Sequence, residues 1–188
     1  MTLTQTNDVR TLNGFDLGKL EMLAETASRG VDSARAAFHV RSDWKGGTRT
    51  EAVVSGYELG GEHIARQHRI RTDEPRELTG TDEAPNPQEL LFAALNACIM
   101  FGYAAGAAEM GFELQSLSVE TRGQLDLRGS LEMADVPVGF PKIDYTVRIK
   151  ADATAAQLEE LHQKVMRTSP NYYHISQPIP LEARLVIE

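Results

Sequence analysis

Ala84-Pro85-Asn86-Pro87-Gln88-Glu89-Leu90-Leu91-Phe92-Ala93-Ala94-Leu95-Asn96-Ala97-Cys98 is the stretch that decides the fold of this chain. Asn86 can cap a helix, because its side chain accepts from backbone N–H groups that lack intrahelical partners; Pro87 at the first helical position gives up a donor that was unpaired anyway. The pattern predicts a helix from about Pro87 to Met110, stopped by Gly111. Leu90 to Ala108 carries no charge and is almost as long as a bilayer-spanning helix. Its alanine content, its interruption by Asn96, Gly102, Tyr103 and Gly106, and the lack of any Lys or Arg between Arg76 and Arg122 to anchor a span argue for a buried core helix instead. No membrane association is expected.

Upstream, Ala36 to Trp44, Thr50 to Leu59 and Glu62 to Thr72 are strand-like and are separated by Lys45-Gly46-Gly47 and Gly60-Gly61, so they predict an antiparallel meander. Phe15 to Ser28 places Leu17, Leu20, Leu23 and Ala24 at helical spacing before Arg29-Gly30, a short helix in an N-terminal extension. Asp73 to Pro87 carries three prolines and reads as a surface loop. Downstream, Leu114 to Leu127 and Lys142 to Lys150 read as strands around a loop rich in Gly and Pro. A helix starting at Thr154 follows, with Leu158, Leu161, Val165 and Met166 on its apolar face. It yields at Ser169-Pro170 to a loop and a last strand, Ile179 to Ile187. The class is α+β, with residues 1–35 an extension and 36–188 the domain.

Composition narrows the function. The chain has 188 residues, 41% hydrophobic and 24% charged, the mixture of an ordinary globular domain. Lys plus Arg number 19 against 27 Asp plus Glu, a formal charge of −8 with no basic run, which excludes nucleic acid as an expected partner. One cysteine allows no internal disulfide, and Met1 to Asp16 is polar and acidic where a secretory signal would be basic and then apolar; a reducing cytoplasm is expected. His39, His63, His68, His162 and His174 show no metal-ligand spacing, and no phosphate-binding glycine loop or serine triad is present, so neither metal nor cofactor is expected.

Chemistry then centres on Cys98. On an ideal helix its face holds Leu91, Ala94, Leu95, Phe101, Gly102 and Ala105, so the thiol is expected to face an interior. Gly102 and Gly106, one turn apart, call for a second helix packed close across them, since mid-helix glycine costs about 1 kcal/mol against alanine. Reaction needs a thiolate, and Cys98 lies too far along the helix for the N-terminal dipole to help. A cation must come from elsewhere; without one, a buried cysteine is a small hydrophobe.

The loop and helix, Asp73-Glu74-Pro75 and Asp82-Glu83-Ala84-Pro85-Asn86-Pro87 through Cys98, resemble the OsmC/Ohr family of organic hydroperoxide resistance proteins over about Ala36 to Glu188. The resemblance implies an intertwined homodimer, with antiparallel and mixed sheets wrapped around two long central helices and thiol sites at the subunit interface. It implies Cys98 as the peroxidatic nucleophile, an organic hydroperoxide or other small oxidant as substrate, and an activating arginine after the first Gly-Gly turn, which is Arg49, with Arg41 the other candidate. A guanidinium favours the thiolate and can hold peroxide oxygens in its fork.

Two positions depart from the family pattern. Where peroxidase members carry a glutamate after the proline, this chain has Gln88, whose amide cannot neutralise an arginine; it starts more than roughly 10 Å from Cys98 along the axis and could reach the thiol only from a second subunit. Where they carry a resolving cysteine before proline, it has Ser169-Pro170. The expected function is therefore a one-cysteine hydroperoxide reductase recycled by an external lipoyl or small thiol. The alternative is a dimeric binding or stress-associated protein that keeps the scaffold and has lost catalysis.

Overall fold

The computed structural model describes residues 10–187. The beginning of the expected extension, and most of the polar Met1 to Asp16 segment, lie outside those residues. The chain forms two compact units, Met1–Leu91 and Phe92–Glu188, divided within the long helix.

In the first unit, β1 (Thr11–Leu12) and β2 (Phe15–Asp16) pair in a two-stranded ribbon. Asp16 then caps α1 (Leu17–Ser28) by accepting from Lys19 N, and a single turn, α2 (Val31–Ala34), follows. The expected strand Ala36 to Trp44 is two strands, β3 (Ala36–Phe38) and β4 (Arg41–Trp44), both antiparallel along one edge of β5 (Thr50–Leu59). The other edge of β5 pairs with β6 (Glu62–Thr72), so β5 is the centre of a four-stranded sheet whose two longest strands have the limits read from the sequence. The ladder slips between Val54 and Gly56. Gly56 is needed there, since a Cβ would lie 2.6 Å from the His63 ring. Apolar burial in this sheet is slight: Ala52 is buried, while Phe38, Trp44, Ile64 and Ile70 remain exposed.

The loop after β6 contains one turn of 3-10 helix, Arg76–Leu78. It leads to α3 (Pro87–Glu109), whose first turn is capped as expected and reciprocally: Glu89 N donates to Asn86 Oδ1 and Asn86 N to Glu89 Oε2, both at 2.8 Å. By length and composition α3 could cross a membrane.

In the second unit α3 instead supplies a core. Leu95, Ile99, Tyr103 and Ala107 pack with Phe112, Leu161 and Val165. The antiparallel pair β7 (Leu114–Gly123) and β8 (Ile143–Ala151) covers that core with Leu117 and Val119 from β7 and with Ile143, Val147 and Ile149 from the inward positions of the β8 alternation. β7 ends four residues earlier than the sequence pattern suggests, because the chain turns into α4 (Leu127–Ser130), capped by Asp126. Thr154 caps α5 (Ala155–Thr168) in a full capping box with Gln157. The close helix required by Gly102 and Gly106 is α5 of the same unit: a Cβ on Gly102 would lie 3.2 Å from Val165 and one on Gly106 2.5 Å from Leu161.

Two expectations past Ser169 are corrected. Pro170 opens a further helix, α6 (Pro170–Ser176), where a loop was expected; proline suits its first position and Ser169 caps it. No strand forms over Ile179 to Ile187. A strand needs a neighbour for its ladder; here Pro178 and Pro180 lack donors, and Leu181 and Leu185 stand 92% and 85% exposed.

Candidate functional site

Cys98, the chain's only cysteine, is half-buried on α3 in the second unit. Ser169, which is 6% exposed, donates its hydroxyl hydrogen to the Cys98 Sγ at 3.4 Å. The same oxygen accepts from Tyr172 N at 3.4 Å as the cap of α6. Asn171 Nδ2 donates to the Ala94 carbonyl at 2.8 Å, which ties α6 against α3 one turn before the cysteine. The sequence placed a serine-proline corner downstream of the cysteine but gave no means of knowing that its hydroxyl would touch the sulfur.

The thiol does not face a closed interior. Its helix neighbours Leu91 and Phe101 are 40% and 59% exposed, and Ala94 is exposed too. The rest of that face is covered within the chain: Leu95 and Ala105 are buried, and Gly102 packs against Val165 of α5. Beside the thiol's unit core, Tyr103 meets His162 Nδ1 at 2.5 Å across the α3–α5 contact. Burial pushes the Tyr103 hydroxyl up to about 12, with the charges of Tyr145 and Glu159 adding to it.

Arg49 and Gln88 lie in the first unit. Arg49 follows the turn that links β4 to β5, which is shaped by Gly46 and Gly47 with φ of 96° and 58° and closed by Lys45 N donating to Arg49 O at 2.9 Å. The Arg49 guanidinium donates to Gly46 O at 3.5 Å and stands 3.8 Å from the Glu83 carboxylate. It lines a cleft of about 300 Å³ with Lys45, Glu51, Arg71, Asp73 and Glu83. Arg41, the other candidate, is held by Asp43 on its own strand at 3.1 Å. Gln88 is exposed on the first turn of α3 and makes no bond to Arg49. Glu83, which reads as an ordinary loop charge in the sequence, is the carboxylate beside the guanidinium.

Asp73 organises this loop. It is 1% exposed, and both carboxylate oxygens are saturated: Oδ1 accepts from Thr48 Oγ1 at 2.5 Å and Glu74 N at 2.8 Å; Oδ2 accepts from Thr81 Oγ1 at 2.6 Å, Thr81 N at 3.0 Å and Glu83 N at 3.1 Å. Hydrogen bonds from Thr48 and Thr81 hold its carboxyl far below the usual carboxylate range. The loop's tight closure also requires Gly80, where a Cβ would sit 1.7 Å from Glu74 O. Glycine between Thr79 and Thr81 is the one signal in the sequence that could have pointed to this closure. Among the described residues no group of three or more His, Cys, Asp or Glu is arranged to hold a metal ion.

The family model described as OsmC-like protein matches residues 80–184. The fold is shared with an OsmC-like protein from Mycoplasma pneumoniae, at 16% identity and a TM-score of 0.58 over 74% of this chain and 86% of that one. It is shared too with an OsmC-like protein of unknown function from Vibrio cholerae, at 15% identity and a TM-score of 0.51 over 72% of this chain and 90% of that one. An OsmC-like hydroperoxide resistance protein from Jannaschia sp. ccs1 aligns at 18% identity and a TM-score of 0.44, over 78% of this chain and 89% of that one. None of the curated proteins matches the chain.

Proposed function

Because the chain belongs to the OsmC-like family, we propose that it is a one-cysteine, thiol-dependent organic hydroperoxide reductase with Cys98 as nucleophile. The observation that carries this reading is the donor contact from Ser169 to the Cys98 sulfur at 3.4 Å, made by a buried hydroxyl to a thiol that is itself half open. An O–H donor stabilises the thiolate more than the thiol. Arg49 supplies the positive charge in this reading, with Glu83 as its counter-carboxylate in place of one at Gln88.

The chemistry balances without a cofactor. The thiolate attacks the terminal peroxide oxygen, the O–O bond breaks, and the oxygen joins sulfur as a sulfenic acid, while the departing alkoxide takes up a proton to leave as alcohol. Sulfur is oxidised by two electrons and the peroxide reduced by two. With serine at position 169, an external thiol attacks the sulfenic sulfur and releases water; a second thiol frees Cys98 and carries away the disulfide.

A homodimer belongs to the same proposal. Trp44 and Phe38 in the first unit, Met100 in the second and Leu181 and Leu185 near the C-terminus are exposed apolar residues that a second copy would cover. So does a cytoplasmic location, which a lone thiol and an acidic charge balance fit. A second reading, a dimeric binding protein without catalysis, is favoured by Gln88 and Ser169 standing where peroxidase members carry Glu and Cys. Turnover decides between them. Purified protein supplied with cumene hydroperoxide and dihydrolipoyl or small thiols consumes the peroxide, and Cys98→Ser abolishes consumption. Equal turnover by the two proteins would refute the enzyme reading.

A further inference from the structure

Asp73 is a buried carboxylate that the reaction above does not use, and its partners are arranged around Arg49. Thr48, which donates to Oδ1, immediately precedes Arg49 in the turn; Glu83, whose backbone N–H donates to Oδ2, carries the carboxylate that faces the Arg49 guanidinium. One side chain therefore fastens both the segment bearing the cation and the segment bearing its counter-ion, across 25 residues in one direction and 10 in the other. Arg49 itself is long, 46% exposed and loosely paired at 3.8 Å, so its direction depends on those two anchored segments.

We infer that Asp73 is a positioning residue, which fixes Arg49 and Glu83 as a unit and thereby sets how well Arg49 serves the thiol; this rests on the proposed role of Arg49. The chemistry requires a carboxylate. All five partners are donors, so an amide at this position would point its own N–H groups at some of them, and the anchored pair would come apart. Deleting a single donor, Thr48→Val, releases the Arg49 side of the latch alone.

A double-mutant cycle on the full-length protein tests this. The readout is the second-order rate of Cys98 oxidation by cumene hydroperoxide, followed across pH, with thermal melting as the control for folding. Arg49→Ala is expected to slow the reaction by about 100-fold, the usual loss for one electrostatic stabiliser. Asp73→Asn is expected to slow it by at least about tenfold and to move the pH profile in the same direction as Arg49→Ala. In the Arg49→Ala background, Asp73→Asn should produce no further loss. Should Asp73→Asn fail to fold, Thr48→Val carries the same cycle: a slower rate in the native background and none in the Arg49→Ala background. A folded Asp73→Asn protein, or in its place Thr48→Val, with native rate and pH profile overturns the inference, as does a loss of equal size in both backgrounds. Native rate in Arg49→Ala itself removes the role of Arg49 and with it the ground for the inference.

Discussion

Tyr103→Phe removes one oxygen from the centre of the second unit and gives a pH signature that can be worked out in advance. Tyr103 is 3% exposed and its hydroxyl meets His162 at 2.5 Å. At pH 8 the variant loses that hydrogen bond and should be less stable than the native protein by about 1 kcal/mol. Burial holds the folded-state value at about 12 against an ordinary 10.0, so the unfolded chain releases its proton first as pH rises. The stabilisation is complete below pH 10 and is lost as pH climbs toward 12, a window worth roughly 2.7 kcal/mol in all. At pH 11 about 1.4 kcal/mol of it has gone. Phenylalanine does not titrate, so the native advantage at pH 8 should vanish or slightly invert at pH 11. Urea unfolding of both proteins at the two pH values reads this directly, since the alkaline effects of groups that do not act on Tyr103 are common to both. Parallel losses in the two proteins would refute the claim that burial of this hydroxyl controls its ionisation.

Other expectations concern the loop and the thiol. Asp73 is depressed below its ordinary value, so its contribution to stability is fully present above about pH 4 and is lost as pH falls; acid unfolding of Asp73→Asn should show a shallower acid limb than native protein in the same titration. Gly80→Ala has no room, with Glu74 O at 1.7 Å from the new carbon, and should lower the melting temperature by several degrees, whereas Gly139→Ala, with nothing within 4 Å, should not. Ser169→Ala deletes the donor to sulfur and the cap of α6. The lost hydrogen bond to the sulfur, worth about 0.7 kcal/mol at the lower end of the usual net range, should slow peroxide oxidation at pH 7 about threefold. Stopped-flow oxidation of native and variant protein measures that ratio.

The limits of β5 and β6, and the α3 stop at Gly111, were legible in the sequence because backbone chemistry is local. Glycine pairs end strands, Asn-Pro begins a helix, and Thr154 caps α5 whatever surrounds it. The two kinds of miss have different causes. α6 hides in Pro-Asn-Tyr-Tyr-His-Ile-Ser, where seven residues are too few to display a periodic face. The segment Ile179 to Ile187 has the composition of a strand, but pairing is a property of two segments and no pattern in one can supply the other. For the candidate site, the family resemblance points to Cys98 and to Arg49, with Arg41 as the other candidate. Asp73 and Glu83 belong to the stretch that carries the resemblance, but their place beside Arg49 is not legible in it, because a loop closing onto a turn joins Asp73 to Thr48 and Thr81 only once the chain has folded. The helical wheel found the neighbours of Cys98 and not their exposure, since a wheel ranks faces and does not say which one is covered.

The most direct test of the account is the fate of the one sulfur atom. Native protein treated with a single equivalent of cumene hydroperoxide in the presence of dimedone, then weighed intact and mapped by peptide, should carry one sulfenic-acid adduct per chain at Cys98, formed together with one equivalent of alcohol. Peroxide consumed without that adduct, or an unmodified Cys98 beside unconsumed peroxide, would contradict it.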